Sequence, residues 1–472
     1  MMNGGATLLL AGGLTAYPAE LTVYLSDLSI TYIGSLWELV VQHHQSHNDS
    51  RAARLQWMRE ARFGLFIHWG LYSVAARHEW VKQRERMDDA AYQPYFENFD
   101  PDRYDPRRWA EAAKRAGMRY AVLTTKHHDG FCLWDSALTD YKATKTPAGR
   151  DLVRPWVEAF RAEGLRVGFY HSLLDWHHPE FPIDGLHPQR DDEQAKAAAK
   201  DRDIARYADY LHGQVRELLT GYGPVDYLFF DFSYPSRTWG GKGRDDWRSQ
   251  ELLAMIRSLQ PDVVVNDRLD LDESDVATPE QYQPAGPMTA GGRLWEACQT
   301  LNGSWGYDRD NLDWKTPDQL IRMLVDGVSK DGNLLLNVGP TGRGEFEPQA
   351  MDTLQAIGRW MDQHGRSVHG AEPAPYVPPP DARYTLRGDR LYLHLFAWPF
   401  RHVHLRGLAG RVRFARFLHD GSEIPAEVVD PARKAQNTTM SGLGADVLTL
   451  NLPVRQPDVA VPVIELLLEP ER

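Results

Sequence analysis

Tyr227-Leu228-Phe229-Phe230-Asp231-Phe232-Ser233-Tyr234 is the stretch on which the fold turns. Four large apolar residues in a row, preceded by the breaker pair Gly223-Pro224, predict a short strand buried on both faces. The run then ends on a carboxylate with aromatics on both sides. An unpartnered buried charge costs roughly several kcal/mol or more, so an acid closing a core strand asks for a reason. In a parallel-strand barrel the C-terminal strand ends are where chemistry is placed. The competing reading makes Asp231 a strand-end residue that caps the next loop or helix. On this stretch alone both readings stand.

Outward from it, short apolar runs alternate with amphipathic helices from about residue 55. The runs are Phe63–His68, Tyr120–Thr125, Arg166–His171, Tyr227–Asp231, Val263–Asn266 and Asn333–Val338. The predicted helices are Pro106–Ala116, Asp151–Glu163, a long Ala-rich Glu193–Leu219, Trp247–Leu259, Thr316–Ser329 and Pro348–His364. Strands that alternate with helices of this length pair in parallel through crossovers. An open doubly wound sheet and a closed (β/α)8 barrel both satisfy that. No Gly-x-Gly-x-x-Gly turn follows an early strand, and the span fits a barrel with insertions, so the barrel is the expectation.

Residues 373–380 carry five prolines in eight positions, a stiff linker. Beyond it the period becomes two, as in Leu391–Phe396 and Val463–Leu468, which predicts a small antiparallel β-sandwich. The expected organisation is an N-terminal extension with little pattern of its own over 1–54 and a (β/α)8-like domain over 55–372. The proline-rich linker over 373–380 and the sandwich over 381–472 follow.

Composition bounds the partners. The chain has 472 residues, of which 42% are hydrophobic, enough for a large core. Its net charge of −12, with no clustered basic stripe, argues against nucleic acid. No run approaches the roughly 18 uncharged apolar residues of a spanning helix, so no membrane partner is expected. Cys132 and Cys298 are too few for a disulfide scaffold and read as buried free thiols, a single bridge between them staying open. The apolar stretch Ala6–Leu14 has no preceding Lys or Arg, the first basic residue being Arg51; a secretory signal wants a positive start, so a cytoplasmic location is expected. Association into a homo-oligomer is left open.

Nearly every apolar run ends in unusual groups: His68-Trp69-Gly70, then Lys126-His127-His128-Asp129, Tyr170-His171, Asp231 and Asn266-Asp267-Arg268. His78-Glu79-Trp80 follows the first, while Thr278-Pro279-Glu280 and Leu294-Trp295-Glu296 are candidates for a sixth and a seventh strand end. Any one histidine here reads more simply as a satisfied structural residue. Taken together on a barrel they converge on one mouth. Adjacent His127 and His128 make a poor metal signature, and no Gly-x-Ser-x-Gly elbow is present. Carboxylates among aromatics and neutral hydrogen-bonders suit glycoside hydrolysis, where one carboxylate attacks and a second carboxyl protonates the leaving oxygen.

The motifs Phe66–Gly70, His78–Trp80, Lys126–Phe131, Tyr227–Asp231, Trp295–Cys298 and Gly303–Tyr307 together resemble the retaining α-L-fucosidases of glycoside hydrolase family 29. The likeness runs from about Glu60 to Glu347. It implies an exo-acting double-displacement enzyme that removes terminal α-L-fucose from fucosylated oligosaccharides or glycoconjugates, with no metal or organic cofactor. It implies that Asp231 is the nucleophile. It also implies that His68, Glu79, Trp80, His127, His128, Tyr170 and Arg268 line the fucose pocket, with Trp305 near the sugar methyl.

Two positions depart from the family pattern: Phe229 stands where Trp is usual and Phe232 where Gly is usual. Glu280, in its Thr-Pro-Glu context, is the favoured acid/base and Glu296 its rival. Two other classes remain: a metal-dependent barrel hydrolase using His127, His128, Asp129, His171, His177 and His178, and a catalytically silent fucose-binding protein.

Overall fold

The barrel strands read as uniformly apolar because both of their faces are covered, by different neighbours. The computed structural model describes residues 50–235, 240–286, 294–429, 434–435, 438–439 and 443–470. Most of the expected N-terminal extension therefore lies outside the described residues. Eight strands form one parallel sheet: β1 (Phe63–Ile67), β2 (Tyr120–Lys126), β3 (Arg166–Ser172), β4 (Tyr227–Asp231), β5 (Val264–Val265), β6 (Val276–Ala277), β7 (Leu294–Thr300) and β8 (Gly332–Val338). Their order is β5-β4-β3-β2-β1-β8-β7-β6, and a parallel bridge from Asn266 to Val276 joins the two ends. The sheet is thus a closed barrel rather than an open doubly wound one.

Period-two alternation divides the side chains. Phe66, Tyr120, Val122, Tyr170, Tyr227, Phe229, Val264, Cys298 and Leu335 fill the barrel interior. Phe63, Leu65, Ile67, Ala121, Leu123, Val167, Phe169, Leu228, Phe230, Leu334 and Leu336 join the outer core. That outer core is closed by α1 (Pro106–Arg115), α2 (Val153–Ala162), α3 (Ile204–Gly221), α4 (Ser249–Leu259), α5 (Pro317–Val328) and α6 (Pro348–His364). Cys132 and Cys298 are both buried and free.

Three expectations need correction. The long helix over 193–219 is two helices, Glu193–Ala198 and α3. Asp192 caps the first through Gln194 N–H and Ala195 N–H, and Asp203 restarts the chain by accepting from Ala205 N–H. The proline linker begins inside a sheet, since Glu372–Pro373 pairs antiparallel with Thr385 and Leu386. Glu296 does not close a strand: β7 runs on to Thr300, and Glu296 pairs in register with Asn333, the second residue of β8.

That position puts Glu296 at the barrel floor. Its carboxyl accepts from Tyr227 Oη at 3.0 Å and from Tyr120 Oη, each the first residue of its strand. Leu55, Met58 and Ala61, on the helix over 50–61, belong to the same interior cluster, so this helix plugs the floor. Trp57 on it meets Tyr120 edge-on with ring centroids 5.4 Å apart.

The seam between β5 and β6 is the thinnest part of the barrel, both strands being two residues long. A side chain reinforces it. Asp275 Oδ2 accepts from Val265 N–H at 2.9 Å and from Arg257 Nη2 at 2.5 Å, while Oδ1 takes Arg54 Nη2 at 2.8 Å. Asn266 extends the β4 pairing in the same way: its amide donates to Phe230 O and accepts Phe230 N–H, both at 2.9 Å. The last residue before Asp231 is thereby fixed on both sides.

After the barrel come a five-stranded antiparallel sheet, ordered Val412–Phe417, Val463–Leu468, Arg390–Leu395, Ala382–Arg387, Glu372–Pro373, and a three-stranded one, His402–Leu405, Leu448–Asn451, Ala426–Glu427. Their facing side chains, Leu391, Leu393, Leu405, Leu450, Ile464 and Leu466 among them, form a separate core, as a sandwich requires. The outer side of the larger sheet leans on α6: Trp360 Nε1 donates to Val461 O at 3.1 Å, and Tyr392 and Val463 join the barrel's outer core. The sandwich buttresses the barrel.

Burial raises the Glu296 carboxyl to about 7, the two tyrosine hydroxyls opposing. A carboxyl whose folded pKa lies above its unfolded value binds a proton on folding, so its stabilising contribution is present below about pH 4.5 and is lost as pH rises towards 7. Glu296→Gln should therefore gain stability over wild type between pH 5 and pH 8, by about 3 kcal/mol at most. Denaturant unfolding at the two pH values checks this, and an unchanged difference would refute it.

Candidate active site

Asp231 ends β4 with 15% of its side chain still open to solvent. Its Oδ2 accepts from Tyr170 Oη at 2.9 Å, its Oδ1 from Arg268 Nη1 at 2.9 Å, and His128 Nε2 stands 3.9 Å from Oδ2. Burial lifts the carboxyl to about 6; the Glu280 charge adds to the rise and Arg268 opposes it.

Arg268 lies in the 3-10 turn Asp267–Leu269 just past β5. All of its nitrogens are committed. Nε donates to Thr278 Oγ1 at 3.0 Å, Nη2 to Thr278 O at 3.1 Å and to Glu280 Oε2 at 3.0 Å. Thr278 is itself pinned, its hydroxyl donating to Asp267 Oδ1 at 2.6 Å. One guanidinium thus holds Asp231 on Nη1 and Glu280 on Nη2. Asp231 is reached from inside the barrel, whereas Glu280 is at the rim with 42% of its side chain exposed.

The remaining predicted groups surround this pair. His68, His127, His128, Glu79 and Tyr170 are all buried. His127 stacks on Tyr170 with centroids 5.6 Å apart and touches His128 at 4.0 Å; His68 lies 5.1 Å from Trp305, and Trp80 lies 5.0 Å from His128. Burial drives His68 down to about 3 and His127 and His128 well below the usual histidine range, so all three imidazoles are neutral.

Their partners fix two tautomers. Ser172 Oγ donates to Leu174 O, so at 2.6 Å it accepts from His128 Nδ1. The Asn337 amide nitrogen donates to Trp305 O, leaving its oxygen to accept from His68 Nδ1 at 2.7 Å. His68 and His128 are therefore left with Nε2 lone pairs that accept hydrogen bonds.

Among the predicted pocket side chains two buried polar atoms have no hydrogen-bond partner: His127 Nδ1 and Glu79 Oε1. Glu79 Oε2 already accepts from Trp305 N–H at 3.1 Å and Gly306 N–H at 2.9 Å. Its Oε1 lies 3.1 Å from His78 Nδ1, but that nitrogen accepts the Trp80 N–H. Burial raises this carboxyl to about 7. A hydroxyl-rich ligand would satisfy such orphaned atoms.

Both departures from the family pattern find a place. Phe229 sits in the barrel interior, stacked on Tyr170 at 5.9 Å and under the Arg268 guanidinium at 5.9 Å. Phe232 holds φ at +75°, the left-handed region where glycine is at ease, and its ring meets His128 at 5.1 Å and Trp80 at 5.2 Å. The backbone that a glycine would favour is kept; this chain adds an aromatic wall to it.

Glu296, at the floor, is not part of this group. Nor are the histidines of the metal reading gathered: His171 bonds Thr125 Oγ1 at 3.2 Å outside the barrel, and His177 stacks on Tyr141 beside Asp89. Among the described residues no three His, Cys, Asp or Glu side chains are placed to hold a metal ion. Sequence reasoning missed Asn337, Ser172 and Thr278. Asn337 left a signal: with Asn333 it is the polar pair, four residues apart, in the apolar run that became β8.

Comparison with known proteins agrees with this geometry. The family model described as Alpha-L-fucosidase matches residues 38–366. The plasma α-L-fucosidase of Rattus norvegicus is 31% identical over 435 residues, covering 85% of this chain and 88% of the relative. The structure of α-L-fucosidase isoenzyme 1 from Paenibacillus thiaminolyticus superposes with a TM-score of 0.82 at 48% identity, covering 89% of this chain and 100% of that one. A family 29 α-L-fucosidase from Bacteroides thetaiotaomicron, solved as a trapped covalent intermediate with 2-fluoro-fucosyl fluoride, superposes with a TM-score of 0.75 at 27% identity, covering 89% and 96% of the two chains. With eight parallel strands presenting an arginine-bridged pair of carboxyls beside neutral histidines, and with a family match over most of its length, the chain belongs to the α-L-fucosidase family of glycoside hydrolases.

Proposed function

We propose that this enzyme is an exo-acting retaining α-L-fucosidase in which Asp231 is the nucleophile and Glu280 the acid/base. The observation that carries the reading is the single guanidinium of Arg268 between the two carboxyls, at 2.9 Å from Asp231 and 3.0 Å from Glu280. In the first step Asp231 attacks the anomeric carbon of the terminal fucose while Glu280 gives its proton to the departing glycosidic oxygen. The C1–O bond breaks and a fucosyl ester remains on Asp231. Glu280, now a carboxylate, takes a proton from water; the water oxygen bonds C1, the ester opens, and Asp231 is restored.

Negative charge moves from Asp231 to Glu280 in the first step and back in the second. Arg268 faces one carboxylate throughout, so its charge is never left unbalanced. The pair of carboxyls on one guanidinium suits the roughly 5–5.5 Å spacing of retaining enzymes better than the wider gap of inverting ones. A relative trapped as a covalent intermediate supports the same course.

His68, Glu79, Trp80, His127, His128 and Tyr170, with Trp305, are proposed to hold the fucose. Neutral imidazoles accept or donate to hydroxyls without the desolvation cost of a charge. Since the deep members are buried, a terminal sugar on a fucosylated glycan is the substrate class that fits.

Asp231→Ala should lower turnover of an aryl α-L-fucoside by about 10,000-fold or more, with azide restoring it as β-fucosyl azide. Near-normal turnover in the variant would overturn the assignment, and loss of wild-type activity in EDTA would favour the metal hydrolase. With Asp231 raised to about 6 and required as its anion, kcat/KM should fall on the acid side with a midpoint near pH 6. A profile flat down to pH 4.5 would exclude that role for the measured carboxyl.

A further inference from the structure

We infer that Gln281 is a positioning residue for Glu280, its side-chain amide fastened to Thr300 so that the rim carboxyl stays beside Arg268. The inference rests on the acid/base role proposed for Glu280.

Glu280 lies outside any regular strand, three residues beyond β6, and Arg268 is the one side chain that bonds its carboxyl among the described contacts. What steadies it is the main chain. Cys298 N–H donates to Pro279 O at 3.1 Å, and Gln281 N–H donates to Cys298 O at 3.0 Å. Glu280 is thereby laid against β7 as a single parallel bridge to Cys298. The next residue must then turn the chain away, and Gln281 does so at φ +56°, a left-handed conformation sparsely occupied by residues other than glycine.

Its side chain supplies the compensation. Gln281 Nε2 donates to Thr300 Oγ1 at 2.9 Å, and Oε1 lies 3.5 Å from Thr300 N. Thr300 is a firm anchor: buried at the end of β7, it accepts Lys315 Nζ on its carbonyl at 2.6 Å and Gly303 N–H on its hydroxyl at 2.8 Å. The segment around Glu280 is thus fastened twice to one strand, by main chain at Cys298 and by side chain at Thr300. Among the described contacts the Gln281 side chain bonds Thr300 alone.

A misplaced acid is costly only where the leaving oxygen needs a proton. Phenoxide departs poorly as an anion; fluoride leaves without a general acid of this kind. The experiment compares kcat/KM, which reports the bond-breaking step, for phenyl α-L-fucoside and α-L-fucosyl fluoride. Gln281→Ala should lose about 10-fold on the phenyl fucoside and less than about 2-fold on the fluoride; Thr300→Val, which also releases the Gly303 N–H ahead of Trp305, should add a loss shared by both substrates to that same discrimination. Thr300→Ser, which keeps the hydroxyl, should match wild type, and Gln281→Gly, free of backbone strain but without the amide, should behave as Gln281→Ala.

Equal losses on both substrates, or none, would overturn the inference. Glu280→Gln separates the two levels. If it discriminates between the substrates while Gln281→Ala does not, the positioning role alone fails. If Glu280→Gln itself shows no discrimination, the acid/base assignment fails and this inference with it. Gln281→Ala changes an exposed side chain, so the result does not hang on the folding of a variant at buried Thr300.

Discussion

A cation with carboxyls on two sides organises this active site. Without Arg268, Asp231 would be a nearly buried anion whose remaining hydrogen bonds come from neutral groups, and Glu280 would be a loose rim carboxyl. With it, the carboxylate that ends β4 and a carboxyl on the segment past β6 are referred to one rigid planar group, whose fork of donors suits carboxylates better than a lysine's point charge could. The cost of burying the guanidinium is met in kind, since Thr278 takes the donors that the carboxyls do not. Much of the surrounding structure serves this arrangement: Asn266 fixes the end of β4, and Asp267 fixes Thr278.

The pocket above is electrically quiet by construction. Three histidines could have put positive charge into the pocket, but burial keeps them neutral, and hydrogen-bond partners choose the tautomers of His68 and His128. That leaves one cation and the two carboxyls it holds as the charges that take part in the proposed chemistry. The orphaned His127 Nδ1 and Glu79 Oε1 favour a ligand rich in hydroxyls over an apolar one.

How much of this was legible depended on whether the signal was local. The barrel followed from alternation of apolar runs and helices, and β4 had the predicted limits because Gly-Pro before it and Asp231 after it are both punctuation. The residues that gather around Asp231 were found because polar groups at strand ends stand out against apolar runs. Glu296 failed that test for a physical reason. An inward acid at the start of a strand and one at its end look alike in sequence, and only the register with β8 and the two tyrosines tells floor from mouth. The break between Ala198 and Ile204 was hidden by alanines and lysines that favour helix, although Asp203 carried the capping signal. Ser172, Thr278 and Gln281 act through contacts distant in sequence or through a backbone angle, neither of which a motif displays.

The seam between β5 and β6 has a meaning beyond closure. Asp231 and Arg268 stand on its one side, Glu280 and Trp305 on the other, and the Arg268–Glu280 ion pair crosses it. Here two-residue strands, a single backbone bridge and the Asp275 carboxylate do what ladders of four to six residue pairs do from β7 through β8, β1, β2 and β3 to β4. The thinnest line of the barrel is the line across which its two proposed catalytic carboxyls would cooperate. Local breathing there would disengage the enzyme while the rest of the barrel stayed folded, making catalytic competence a more sensitive gauge of warming than secondary structure.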